Sequence, residues 1–172
     1  DAGAGNDSFN FAGAVGTASI DAGVGADTLV FTGRVSGASI SGLDTSGDRV
    51  NISAQSSAVF SAIATGAQVS FGGGADSGTF GGAIGAGSIY GGAGADSFSF
   101  LGAVTSGATI DQGTGNDSVF FGTSSQLTGT TLTGSGADTF NLQGANTAVF
   151  GALSTAASQV SFGANADKAT FT

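Results

Sequence analysis

Eight aspartates, Asp7, Asp27, Asp48, Asp76, Asp96, Asp117, Asp138 and Asp167, each close a short turn in which glycine is the recurrent neighbour. Gly stands four residues before the Asp in seven of the eight copies and two before it in six. Alternating glycines let a chain turn back through positive φ and leave its carbonyl oxygens bare. Carbonyl oxygens beside a carboxylate suit a hard cation such as calcium, which takes about six to eight oxygens at about 2.3–2.6 Å. Asp21 and Asp111, six residues before their motif aspartates, are placed to add further oxygens. The competing reading of each turn is a carboxylate that accepts N–H groups of its own loop, with no metal.

The separations between the eight are 20, 21, 28, 20, 21, 21 and 29 residues. A period of this size marks a solenoid and outranks every local signal. It would set all eight carboxylates in register along one edge. A row of charges about 5 Å apart repels by about 1 kcal/mol per neighbour even in a water-like medium. The chain has only Arg34, Arg49 and Lys168 to offset 12 Asp, so cations must supply the compensation.

A longer period lies over the short one. Gln68-Val69-Ser70-Phe71-Gly72 recurs as Gln159-Val160-Ser161-Phe162-Gly163, and Ala58-Val59-Phe60 as Ala148-Val149-Phe150. The chain therefore divides into two tandem units, 1–82 and 83–172, each expected to hold four coils in one continuous solenoid. The extra residues of each unit fall at 53–67 and 143–158. Phe60 and Ile63, and Phe150 and Leu153, have a spacing that permits a short helix, but an additional strand fits these segments as well.

The elements that must carry the turns are strands. Apolar residues stand two and four positions after the Asp: Phe9 and Phe11, Leu29 and Phe31, Val50 and Ile52, Phe98 and Phe100, Val119 and Phe121, Phe140 and Leu142. That spacing points both to one side of a strand. A second strand returns with Ile20, Ile40, Ile89, Ile110 or Leu132 inward, and Val15, Val35 and Val104 suggest a short third side. The fold expected is all-β: a parallel β-solenoid, of β-roll or β-helix type, with about eight coils of 20–21 residues and one enlarged coil per unit. Eight coils at strand spacing make a rod of roughly 38 Å. Stacking closes a core that no single coil can bury.

Composition narrows the partners. The formal net charge is −9, and there is no Cys, Met, His, Trp or Pro. Phosphate binding needs clustered Lys and Arg, so nucleic acid is not expected, nor is membrane insertion, since no apolar run of about 18 residues occurs. Zinc, copper and iron lack their usual thiolate and imidazole ligands. General acid–base or nucleophilic catalysis would fall on Asp, Ser, Thr, Tyr90 or Lys168, and the aspartates are absorbed by the repeat. No enzyme is expected in this segment. The chain opens at Asp1 inside a motif, which reads as an excerpt of a longer protein.

Gly91-Gly92-Ala93-Gly94-Ala95-Asp96-Ser97-Phe98-Ser99 resembles the nonapeptide repeat of the RTX family, Gly-Gly-x-Gly-x-Asp-x-apolar-x. Gly3 to Phe9 and Gly113 to Val119 carry its Gly-x-Gly-Asn-Asp form. The resemblance extends to all eight coils in weakening degree. It implies calcium held between successive turns by the motif aspartates, and secretion to the bacterial exterior or cell surface by a type I route. The departures are a motif once per 20–21 residues instead of every nine, Asp44 and Ser46 in place of glycines before Asp48, Gly78 in place of the apolar residue after Asp76, and Asn165 before Asp167. The function expected is a non-enzymatic extracellular module of an S-layer, sheath, filament or adhesin stalk, associating with copies of itself. The alternative is a calcium-triggered folding and secretion domain of a larger effector.

Overall fold

A computed structural model of the chain describes residues 1–45, 47–123, 127–153 and 158–172. Ser46 of the Asp48 copy, and 154–157 of the second long segment, lie outside the described residues. Alternation sets the strands: in Arg49-Val50-Asn51-Ile52 both aliphatic side chains are buried while Arg49 and Asn51 face solvent. Phe98 and Phe100 are likewise buried between Ser97 and Ser99. Among the described residues there are seventeen strands and no helix.

The strands alternate between two parallel sheets. The nine-stranded sheet runs β1 (Ser8–Phe11), β3 (Thr28–Phe31), β5 (Arg49–Ile52), β7 (Gln68–Phe71), β9 (Ser88–Tyr90), β11 (Thr109–Thr114), β13 (Thr128–Ser135), β15 (Thr147–Leu153) and β17 (Lys168–Phe171). The eight-stranded sheet runs β2 (Ser19–Asp21), β4 (Ser36–Ser41), β6 (Ser57–Phe60), β8 (Ser77–Phe80), β10 (Ser97–Phe100), β12 (Ser118–Phe121), β14 (Thr139–Leu142) and β16 (Gln159–Phe162). The chain is thus a parallel β-solenoid of about eight coils. Its interior is a continuous apolar column. Phe60, Phe80, Phe100 and Phe121 stack ring on ring at 5.0, 4.7 and 4.9 Å, matching the spacing of paired strands. Val15 bridges Val35, and Ile63, Ile84, Val104 and Leu127 bridge one another in turn, as a short third side.

The long segments do not bulge from an enlarged coil; each supplies a strand and a turn. Residues 53–60 end in β6, whose Phe60 pairs with Ile40 before it and Phe80 after it. β15 likewise pairs Leu132 and Phe171 through Phe150. Of the helix and strand readings, the strand holds. Val15, Val35 and Ile63 make a short third side in their turns, whereas residues 53–56, between β5 and β6, form a four-residue turn without one. Three strands, β5 to β7, therefore lie between Asp48 and Asp76, and the chain advances one and a half laps.

A shift of 90 residues accordingly advances the chain by nine strands, β1 to β10, or four and a half laps, where four were expected. An odd strand number sends equivalent residues to opposite sheets. β1, β3 and β5 follow Asp7, Asp27 and Asp48 in one sheet; β8, β10, β12 and β14 follow Asp76, Asp96, Asp117 and Asp138 in the other. The single row of eight carboxylates is therefore not found. Because all strands of a sheet run the same way, the turns entering one sheet and those entering the other lie at opposite edges. Asp7, Asp27, Asp48 and Asp167 belong to one edge, and Asp76, Asp96, Asp117 and Asp138 to the other.

Candidate functional site

The Gly-Asp turns are built by stacking backbone on backbone. Val24, Ala93 and Thr114 donate their N–H groups to the carbonyls of Gly3, Gly72 and Gly92 in the preceding coil. The first glycines lie at positive φ, 87° at Gly23 and 94° at Gly92. A side chain there would meet the previous turn's carbonyl, so the motif's glycines are a condition of stacking as well as of turning.

Each motif aspartate then points inward and ties two coils together. Oδ1 of Asp27 accepts the Asp7 N–H at 2.8 Å, and Oδ1 of Asp48 accepts that of Asp27 at 2.9 Å. On the other edge the Asp76, Asp96 and Asp117 N–H groups donate to Asp96, Asp117 and Asp138 at 2.8, 2.8 and 3.1 Å. Ser56 heads this row: its Oγ accepts the Val35 N–H and its own N–H donates to Asp76. Ser158 Oγ ends it, accepting the Asp138 N–H. Asn146 is the counterpart of Ser56 ninety residues on, accepting from Leu127 and donating to Asp167 Oδ1 at 2.9 Å.

The second carboxylate oxygen is the unusual one. Asp27, Asp76, Asp96, Asp117 and Asp138 are at most 2% exposed. Oδ2 of these five, and of Asp7 and Asp167, is buried with no hydrogen-bond partner in the protein. Only Asp48, among the eight, uses its Oδ2, which accepts the Thr45 N–H at 2.8 Å. A buried carboxylate oxygen without a donor is strongly unfavourable as an anion, so each of the seven calls for a proton, a water or a cation.

Burial leaves its mark on the titration. It pushes the Asp76 carboxyl from 3.8 up to about 6, opposed by the Ser56 N–H and reinforced by the Asp96 carboxylate. Burial also lifts Asp117 to about 6, against the Asp96 N–H and with a further push from the Asp96 and Asp138 carboxylates. Asp96 and Asp138 are raised by burial too, each against one backbone N–H. A group whose folded value is raised contributes stability below its unfolded value and loses it as pH climbs through the folded one. With a chelator present, the thermal midpoint is therefore expected to rise by several degrees from pH 7 to pH 4.5. The double variant Asp76→Asn, Asp117→Asn should flatten that rise. Circular dichroism melts at the two pH values check this, and a native midpoint that falls on acidification contradicts it.

Not every aspartate named from the sequence joins a row. Asp21 and Asp111 accept the N–H of their own Gly23 and Gly113, and Asp21 is exposed. They act as turn formers on the outside. Among the described residues no three acidic side chains converge as a metal cluster. What the rows offer is oxygen of the right kind: seven orphaned carboxylate Oδ2 atoms, donors that suit a hard cation and not a soft metal. Sequence reasoning missed Ser56, Asn146 and Ser158. Comparing the units at a shift of 90 places Ser56 on Asn146, each just before a Ser/Thr-Ala-Val-Phe strand, and that alignment was the available signal. It also missed Asn6 and Asn116, whose Oδ1 atoms accept the Ala26 and Ala137 N–H of the next coil at 2.9 and 3.0 Å.

No family model matches the chain, and comparison with curated proteins and with solved structures gives no match either.

Proposed function

We propose that the chain is a non-enzymatic structural segment of a secreted or cell-surface repeat protein, an RTX-like rod that takes up calcium along its aspartate rows. The observation that carries this reading is the set of seven buried, unpartnered Oδ2 atoms in a chain of net charge −9 with three basic residues. Calcium would be held by Asp7, Asp27, Asp76, Asp96, Asp117, Asp138 and Asp167, which accept it through the oxygen that the backbone ladder leaves over; Asp48 has that oxygen engaged. The metal supplies positive charge and oxygen coordination, nothing more. The apolar column supports a structural role. The stack of Phe60, Phe80, Phe100 and Phe121 within the apolar column favours a rod that persists without metal over the calcium-triggered secretion domain, which would unfold in chelator because metal energy is then folding energy.

Millimolar calcium is expected to raise the thermal midpoint by about 5–10 °C over a chelator control, as mass action on several sites requires. The β signal should survive chelation at 25 °C. Equal midpoints with and without calcium would sink the metal reading; loss of the β signal in chelator would favour the secretion domain.

Self-association is the second part of the proposal. Phe171 in the outermost strand is 63% exposed, whereas Phe31, Phe121 and Phe150 of the interior strands are fully buried. An open strand edge with an apolar ladder behind it is covered by another coil of the same kind, either the chain's own continuation or a second copy. Sedimentation of the isolated segment in millimolar calcium tests the second: concentration-dependent, end-to-end oligomers are expected, and a monomer at all concentrations counts against it. Nucleic acid and membrane insertion have no support in the charge or the surface, and no helix of the described residues is long and apolar enough to cross a bilayer.

A further inference from the structure

Gln112 is fully buried, and neither Nε2 nor Oε1 has a hydrogen-bond partner. It lies in β11 two residues after Ile110, on the inward side. The pairing of Asp111 with Tyr90 and with Thr133 sets Gly91 and Gly134 beside it in the neighbouring coils. Both neighbours are glycines; Gly91 lies against the Gln112 backbone, and Gly134 leaves the room beside the Gln112 side chain. A Cβ on Gly134 would stand 2.7 Å from Asp138 Oδ2 and 3.2 Å from Gln112 Oε1. The amide oxygen and the orphaned carboxylate oxygen therefore flank one small space. Asp117, whose N–H donates to Asp138 Oδ1, carries the next buried and unpartnered Oδ2 of the row.

The Gln112 amide oxygen and the Asp138 Oδ2 face one space shut off from solvent, and no protein donor reaches either oxygen. Acceptors brought together in low dielectric repel unless a positive charge stands among them. Two carboxylates balance a divalent charge, and a neutral amide oxygen adds a ligand without adding repulsion. We propose that Gln112, Asp117 and Asp138 form an internal site for a divalent hard cation, with Gln112 a ligand that lies outside the Gly-Asp motif and makes this the tightest site of its row. The inference rests on the calcium reading above and deepens it.

Calorimetric titration of calcium into the whole chain, native and Gln112→Leu, tests it. Leucine keeps the volume and removes the oxygen. The tightest site is expected to weaken at least about tenfold in Gln112→Leu and in the isosteric Asp138→Asn, while Asn51→Ala on the outer face of β5 leaves it unchanged. In chelator, Gln112→Leu should melt no lower than native, because it deletes an unpartnered buried amide. An unchanged isotherm for Gln112→Leu overturns this site while leaving calcium binding intact. A lower midpoint for that variant in chelator also overturns it, since the amide would then be held by protein groups. A native chain that binds no calcium removes the broader reading together with this one.

Discussion

Alanine at Gly115 is expected to lower the thermal midpoint by roughly 10 °C. Gly115 has φ of +140°, a conformation that L side chains rarely adopt. Its added Cβ would also fall far inside van der Waals distance of the Gly94 carbonyl oxygen, in the coil before. Backbone cannot yield there without parting two coils, so the strain adds to the clash, and a loss of about 3 kcal/mol or more follows. Two comparisons separate the causes. Gly5 has φ of +130° but nothing within 4 Å of a Cβ, so Gly5→Ala should carry the conformational strain alone. Gly16 has neither problem, and Gly16→Ala should be neutral or slightly stabilising. Circular dichroism melts of the three should rank Gly115 lowest, then Gly5, then Gly16. Equal midpoints for all three would mean that the turns do not stack as described.

Phe100→Ala is expected to cost about 3–5 kcal/mol. Phe100 is fully buried and stacked on both sides, at 4.7 Å on Phe80 and 4.9 Å on Phe121. Removing it opens a cavity in the middle of a column and breaks two ring contacts, each worth about 0.5–1.5 kcal/mol beyond the area buried. In a solenoid the energy lies between neighbours, so the damage should spread to the adjoining coils before it reaches the rest. Hydrogen exchange should show faster amides in β8, β10 and β12 than in β3. By contrast Phe120→Ala, at a ring 38% exposed on the outer face, should change stability by less than about 1 kcal/mol. A Phe100→Ala midpoint within a degree of native would contradict the buried column.

The fold class was legible in the residues because strand stacking repeats the same local chemistry every lap. Phe98 and Phe100 two apart, a glycine turn and Asp96 recur in a form that survives substitution at any one coil. The edge swap was not legible from aspartate spacing alone. A separation of 28 residues can be one lap with a bulge or one and a half laps with a shorter turn, and the count does not distinguish them. The difference lies in the turn between β5 and β6, residues 53–56, which lacks the short third side made by Val15, Val35 and Ile63 in other turns. Ser56 closes that turn in the place of an Asp, so a search for carboxylates passes over it. The inward direction of the aspartates, and their use of Oδ1 on the neighbouring coil's backbone, were not legible, because a hydrogen bond between residues 20 or 21 apart leaves no local mark. Gln112 stood out in neither composition nor motif; only its burial between Gly91 and Gly134 singles it out.

The half-lap shift that carries the aspartates from one edge to the other has a direct test in cross-linking. The chain has no cysteine, so an introduced pair reacts only with itself. Asn51 and Ser70 are partners in adjacent strands of one sheet, facing outward. Neighbouring parallel strands bring such positions to about 4.8 Å, within reach of a disulfide. Asn51 and Thr79 hold equivalent places after Asp48 and Asp76, and would be the partners had all eight aspartates kept to one edge; here they lie in different sheets. Mild oxidation of the folded chain should close the Asn51→Cys, Ser70→Cys pair and leave the Asn51→Cys, Thr79→Cys pair open. A disulfide in the second pair, and none in the first, would contradict the two-edged winding on which the cation rows depend.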